Sequence, residues 1–224
     1  MKRLVNGYLA SITLARHGNA AKKTEGGTDR ERALTEHGRR QSHGLRDALR
    51  GATFDFVGSS PLTRAMEMSR ISTGDEPIEI IELGVNEDPH DPINIMFADL
   101  VYSPLVASAY DPKNPESKPG YYQHHLGEHL KSWARETIEV ILAKAEDEAE
   151  SLDRPVHIFI GGHAVCHPAL ADAIAEQISE VDSNLAAVIS SLVQAYNLGE
   201  AEAIKIVLPA DGAQGSCEII KPLL

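Results

Sequence analysis

Three apolar stretches end in the same way, and that shared ending limits what the chain can fold into. Tyr8-Leu9-Ala10-Ser11-Ile12-Thr13-Leu14-Ala15, residues 54–59 and residues 156–161 are short apolar runs rich in β-formers. The first leads into Arg16-His17-Gly18. The second leads into Ser59-Ser60-Pro61-Leu62-Thr63-Arg64, and the third into Gly162-His163. Further strand-like runs occupy residues 78–83, 202–208 and 216–221, with helix-like stretches between them. Strands separated by helices predict an α/β fold, a three-layer sandwich with a mostly parallel central sheet and helices on both faces. In such sheets ligands bind beyond the carboxyl ends of the strands. If the three strands are parallel neighbours, Arg16, His17, Arg64 and His163 converge on one edge.

The helix signals agree with this rhythm. Thr35 is placed to cap a helix presenting Leu45, Ala48 and Leu49 on one face. Ser60-Pro61 reads as a cap followed by proline at the first helical position. A long amphipathic run covers about 123–148, and residues 164–178 and 184–196 supply two more helices. Two proline-rich loops, 87–92 and 111–120, bracket an apolar piece containing Ile93, Ile95, Met96, Phe97, Tyr102 and Tyr110. That piece is too short to hold a core alone. The expectation is therefore a single domain over 1–224 with a lid or substrate-binding excursion at about 87–122.

Composition narrows the class of partner. The chain has 224 residues, 42% of them hydrophobic, enough for one full-sized core. Its net charge of −12 argues against nucleic acid or an anionic membrane as the main partner. A small anionic substrate needs only local positive charge. Cys166 and Cys217 are the only cysteines, which suits a reducing cytoplasm. Met1-Lys2-Arg3 leads into too short an apolar run for a signal peptide, and no apolar stretch reaches the roughly 20 residues of a membrane span.

Two arginines and two histidines brought together suit a tetrahedral dianion such as a phosphoryl group. Arginine grips phosphate oxygens bidentately and keeps its charge. The two cations would also depress the pKa of a neighbouring imidazole, holding it neutral and nucleophilic.

These residues resemble the histidine phosphatase superfamily, which includes the phosphoglycerate mutases. Arg16-His17-Gly18 looks like its signature. Leu34-Thr35-Glu36-His37-Gly38-Arg39-Arg40-Gln41 is similar to its first-helix pattern, Ser59-Ser60-Pro61-Leu62-Thr63-Arg64-Ala65 to its serine-proline loop, and Gly162-His163 to its second histidine. The motifs stand in family order from residue 12 to about 170. The resemblance implies a phosphoglycerate mutase-like fold and a cofactor-free, metal-independent phosphomonoesterase acting on a phosphorylated small molecule. His17 would form a phosphohistidine; Arg16, Arg64 and His163 would hold the phosphoryl oxygens; Asn19 could donate a further hydrogen bond. A carboxyl group would protonate the leaving oxygen. The candidates are Glu82, Glu87, Asp88 and Asp91, and Val85-Asn86-Glu87 resembles the stretch that carries the family's acid, which favours Glu87. The short Asn19-Ala20 continuation looks more like phosphatase branches than mutases, and the reading admits a homodimer. Lys22, Lys23, Arg30 and Arg32 could grip a second anionic group.

Three rival readings stand beside this one. The first keeps the chemistry but transfers the phosphoryl group, as a mutase does. In the second, His125-Leu126-Gly127-Glu128-His129 spells H-x-x-E-H, the pattern of inverted zinc peptidases. Gly127 would weaken the helix that must hold such ligands. The third is a phosphate-binding module with little turnover. His37, His43, His90, His157 and His167 receive no role, although His167 follows His163 closely enough to line the pocket.

Overall fold

The computed structural model describes residues 9–25, 27–84, 127–148, 154–164, 166–196, 198–208 and 214–224. The expected excursion at about 87–122, with Glu87 and the bracketed apolar piece, lies outside the described residues, as does His125.

Among the described residues six strands form one sheet: β1 (Leu9–Arg16), β2 (Phe56–Ser59), β3 (Ile78–Glu79), β4 (Val156–Gly162), β5 (Ala203–Val207) and β6 (Ser216–Ile220). Their spatial order is β3-β2-β4-β1-β5-β6. β4 pairs in parallel with both β1 and β2, so the three strands singled out from the sequence are neighbours running the same way. β5 runs antiparallel to both β1 and β6.

Among the described residues five helices cover the sheet: α1 (Glu36–Ala48), α2 (Thr63–Thr73), α3 (Gly127–Glu148), α4 (Cys166–Ile178) and α5 (Ser183–Ala195). Strand alternation decides which residues meet which helices. Ile12, Leu14, Phe56, Ile158, Ile160, Ile204 and Ile206 pack in one cluster with Trp133, Ile141, Leu170, Ile174, Ile189 and Val193 of α3, α4 and α5. Ala15, Val57, Phe159 and Ala203 join Leu45 of α1 and Met68 of α2 in a second cluster. The result is the expected three-layer arrangement. The chain leaves β1 toward α1 on one face and leaves β4 toward α4 on the other, and neighbouring strands whose exits part in this way open a ligand site between them.

Two local expectations are corrected. The stretch 78–83 is not one strand: β3 ends at Glu79, and a 3₁₀ turn, Ile81–Leu83, follows. The Leu83 side chain is buried in the core while Ile81 is exposed, and the turn is closed by Gly84 N–H to Ile81 O at 2.8 Å. The helix expected to start at Pro61 begins at Thr63 instead, with no side-chain cap. Ser60 N–H is held by Gly161 O at 2.9 Å, which keeps this residue in the line of β2.

Helix α2 lies close against the end of β4, where only glycine fits. A Cβ on Gly161 would overlap Ser69 Oγ and come within 3.2 Å of Met68 Cε. Gly161→Ala should therefore lower stability by about 1–3 kcal/mol through overpacking. Ser69→Ala should recover part of that loss in the double variant. Urea unfolding of the four proteins checks this, and strictly additive effects would mean that the two side chains do not compete for the space.

Candidate active site

The site is built on the last backbone hydrogen bonds of the sheet. Arg16 lies opposite Gly162 in the register of β1 and β4, and His17 N–H donates to Gly162 O at 3.0 Å. His17 is thus fixed one residue beyond its strand, directly beside the residue preceding His163. The two rings meet edge to face with centroids 5.2 Å apart. The segment before β5 closes the other side: Arg16 N–H donates to Glu202 O at 2.9 Å and Ala201 N–H to His17 O at 3.3 Å.

His17 is oriented through both ring nitrogens. Nδ1 lies 2.7 Å from Gly18 O, an acceptor only, so Nδ1 carries the proton. Nε2 then presents its lone pair, and Arg64 Nε donates to it at 3.2 Å. Burial depresses the pKa of His17 most; the contact with Gly18 O raises it, and repulsion from Arg64, Arg16 and Arg32 lowers it further, to about 3. The sequence reading placed the cause in the arginines. They contribute in the expected direction, but burial is the larger effect. His163 is held well below its ordinary value, first by burial and then by repulsion from His17 and Arg64. Its Nε2 lies 3.0 Å from Ser60 Oγ. The serine expected to cap a helix holds this imidazole instead.

Arg64 is 5% exposed, on the first turn of α2. Arg16 Nη1 donates to Leu198 O at 2.6 Å. The structure thus brings together Arg16, His17, Arg64 and His163. Asn19 sits beside them, but its amide is engaged on both sides: Nδ2 donates to Glu200 at 3.0 Å and Oδ1 accepts from Thr35 at 2.8 Å. Glu87 lies outside the described residues. Glu82 is exposed on the 3₁₀ turn, where its carbonyl oxygen accepts from Trp133 Nε1 at 3.1 Å.

The Leu34–Gln41 pattern is explained by this loop. Thr35 caps α1, accepting from Gly38 N–H at 3.1 Å, and Gln41 Oε1 accepts from Asn19 N–H at 2.8 Å. A Cβ on Gly18 would come 2.7 Å from Gly38 O, and one on Gly38 would overlap Asn19 O. The first turns of α1 and the signature loop touch backbone to backbone, which leaves no room for larger residues.

Other histidines have other places. His157 Nδ1 meets Ser11 Oγ at 2.8 Å, at the opposite end of the strands. His167 is fully buried, with Nε2 2.8 Å from Ala15 O. It supports the ends of β1 and β4 rather than lining the pocket. Burial brings its pKa down to about 4, against a smaller upward effect of the bond to Ala15. Sequence reasoning missed Asp29. Its carboxylate accepts from Arg64 Nη2 at 2.8 Å and from Arg32 Nη1 at 2.8 Å. It also missed Glu200, which accepts from Asn19 and, at 3.2 Å, from Gln41. Both lie in segments with no helix or strand pattern, so nothing in the periodicity marked them.

The sequence profile of the histidine phosphatase superfamily (branch 1) matches residues 12–84. No curated protein matches the sequence significantly. Among solved structures, mycobacterial hydrolase 2 superimposes with a TM-score of 0.55 at 16% identity, covering 96% of this chain and 92% of its own. Mycobacterial hydrolase 1 gives 0.54 at 16%, covering 95% and 98%. A mycobacterial glucosyl-3-phosphoglycerate phosphatase gives 0.52 at 15%, covering 96% and 99%. No helix among the described residues is long and apolar enough to cross a membrane.

Three buried or half-buried imidazoles with depressed pKa values make stability depend on pH. The unfolded chain binds their protons near pH 6.5, whereas His17 and His167 resist protonation until about 3 and 4. The unfolded state therefore gains protons first, and stability falls as pH drops from about 6.5 toward 4. The melting temperature should fall across that window. His167→Gln keeps a donor for Ala15 O and cannot titrate, so its fall should be shallower. Equal slopes in the two proteins would show that His167 does not contribute. Residues 12–84 thus match the profile of the histidine phosphatase superfamily (branch 1), and the sheet and helices share the fold of the mycobacterial hydrolases.

Proposed function

We propose that this protein is a phosphomonoesterase that hydrolyses a phosphorylated small molecule through a phosphohistidine on His17. The observation that carries the reading is the fixed tautomer of His17: Nδ1–H points to Gly18 O, and Nε2 offers a lone pair beside Arg64. A neutral imidazole aimed into a cationic cluster has little to do for a neutral ligand. For a phosphate monoester it supplies both halves of the reaction. Arg64 Nε–H turns from His17 Nε2 to a phosphoryl oxygen, Arg16, Arg64 and His163 bind the nonbridging oxygens, and the freed Nε2 lone pair attacks phosphorus as the ester P–O bond breaks. A carboxylic acid gives its proton to the departing oxygen. A water molecule then attacks the phosphohistidine, its proton returns to the carboxylate, and phosphate leaves with His17 neutral again.

We assign the acid to Glu87. The last described residue before it is Gly84, whose Cβ position is 2.6 Å from Pro61 Cγ, beside the serine that holds His163. Three further residues can span at most about 10 Å, which is the reach this assignment asks of the chain. We assign Asn19 a role in shaping the signature loop, since Thr35 and Glu200 engage its amide. The arginines neutralise the phosphate without a metal ion in this reading. Phosphatase activity in the mycobacterial glucosyl-3-phosphoglycerate phosphatase, whose fold this chain shares, supports hydrolysis over mutase-like transfer.

Rapid-quench labelling tests the reading. The wild-type protein should turn over p-nitrophenyl phosphate and yield acid-labile, base-stable phosphate on His17. His17→Ala should lose turnover and label while remaining folded. Phosphate on serine, or near-normal turnover in His17→Ala, would overturn it.

Arginine geometry gives an independent check. Lysine cannot reproduce a guanidinium that bridges nucleophile and phosphate. Arg64→Lys should lower kcat/KM at least tenfold, as expected for losing a charged hydrogen bond of about 1.5–3 kcal/mol. Unchanged kinetics would place Arg64 outside the reaction.

A further inference from the structure

Arg64 reaches the nucleophile on a long side chain that could adopt many conformers. One residue removes that freedom. Asp29 accepts from Arg64 twice, through its main-chain oxygen to Nη1 at 2.8 Å and through its carboxylate to Nη2 at 2.8 Å. With both terminal nitrogens engaged by Asp29, the plane of the guanidinium is fixed and Nε is the nitrogen turned to His17 Nε2, 3.2 Å away. The other carboxylate oxygen takes Arg32, whose Nε donates to Ala21 O at 2.6 Å. The loop carrying Asp29 is in turn tied to α2 one residue before Arg64, since Thr63 N–H donates to Arg30 O at 3.0 Å.

We propose that Asp29 is a positioning residue of the reaction, gripping the far end of Arg64 so that its Nε faces the phosphoryl group on His17. The proposal rests on the reading of His17 and Arg64 as phosphoryl-transfer groups. Asp29 touches neither the nucleophile nor, in this scheme, the substrate; it acts through Arg64. The chemistry of the pair fits that role. A carboxylate and a carbonyl oxygen presented together match the end-on fork of a guanidinium, which lysine or a neutral partner cannot replicate. Burial alone would favour the protonated carboxyl of Asp29, but hydrogen bonds from Arg32 and Arg64 outweigh it and keep the group ionised. Holding a charged group in its productive orientation before substrate arrives is how such sites gain rate.

A competing role would have the opposite sign. If Asp29 instead blocks Arg64 as an internal anion, removing its charge would free the guanidinium for phosphate and tighten binding. Kinetics with p-nitrophenyl phosphate and inhibition by orthovanadate separate the two.

Asp29→Asn should lower kcat at least tenfold with a smaller change in KM, and weaken vanadate inhibition. On the Arg64→Ala background, Asp29→Asn should change kcat/KM by less than twofold, because its effect travels through that arginine. A merely structural role would instead multiply the two losses. If Asp29→Asn does not fold, Asp29→Glu, which keeps the charge one methylene farther out, should give a smaller loss that also vanishes on the Arg64→Ala background. Unchanged or faster turnover, tighter vanadate binding, or multiplying losses would overturn the proposal. A wild-type protein with no turnover and no vanadate binding would instead overturn the phosphatase reading beneath it.

Discussion

The hydrogen bond from His17 N–H to Gly162 O, at 3.0 Å, is the constraint on which the site depends. It continues the parallel ladder of β1 and β4 one residue past Arg16. Because the strands are in register there, His17 and His163 must emerge side by side. Their rings are held by the sheet rather than by a flexible loop. The departure of the chain toward opposite faces after these two strands is the arrangement that places a ligand site above them. α2 brings Arg64 down into it, which is why Gly161 has no room for a side chain.

Electrostatics at this edge run against the protein as a whole. The chain carries a net charge of −12, yet Arg16, Arg32 and Arg64 all raise the potential at His17. Local geometry matters more than net charge for a small anion, because the field of a partly desolvated cation is screened little at contact distance. Asp29 moderates the cluster without cancelling it. Its carboxylate neutralises one unit of positive charge shared between Arg32 and Arg64, while its position keeps Arg64 directed at the imidazole.

Most of the fold was legible because strand and helix periods are distinct. The runs at 8–15, 156–161, 202–208 and 216–221 became strands within a residue or so at each end. Thr35 capped its helix as its side chain predicts. The failures have local causes. At 78–83 an alternating run was read as a full strand, but the chain turns after Glu79 to bury Leu83. At Ser60 a helix-cap signal was present, and the hydroxyl was used on His163 instead. Within the site, residues at strand ends could be found because topology alone brings them together. Asp29 and Glu200 could not, since they reach the site from irregular segments, where no periodicity indicates which way a side chain points.

The depressed pKa of His17 raises a question of reactivity. With its pKa held far below 7 the imidazole is neutral at physiological pH, so the form that the proposed reaction needs is available. A base that weak is also a poor nucleophile, since nucleophilicity falls with basicity. The resolution lies in what depresses it. Burial acts whether or not substrate is present, but repulsion by Arg64, Arg16 and Arg32 acts only while those charges are uncompensated. In the proposed reaction a phosphate dianion seated among the arginines cancels that repulsion and adds an attraction for positive charge on the ring. Part of the basicity is thereby recovered as the phosphorus of the proposed substrate arrives, and the imidazolium-like charge that develops on attack is stabilised by the group being attacked. Burial, aided by the arginines, thus keeps His17 unprotonated while the site is empty, and in the proposed reaction the substrate relieves the arginines' share of the penalty.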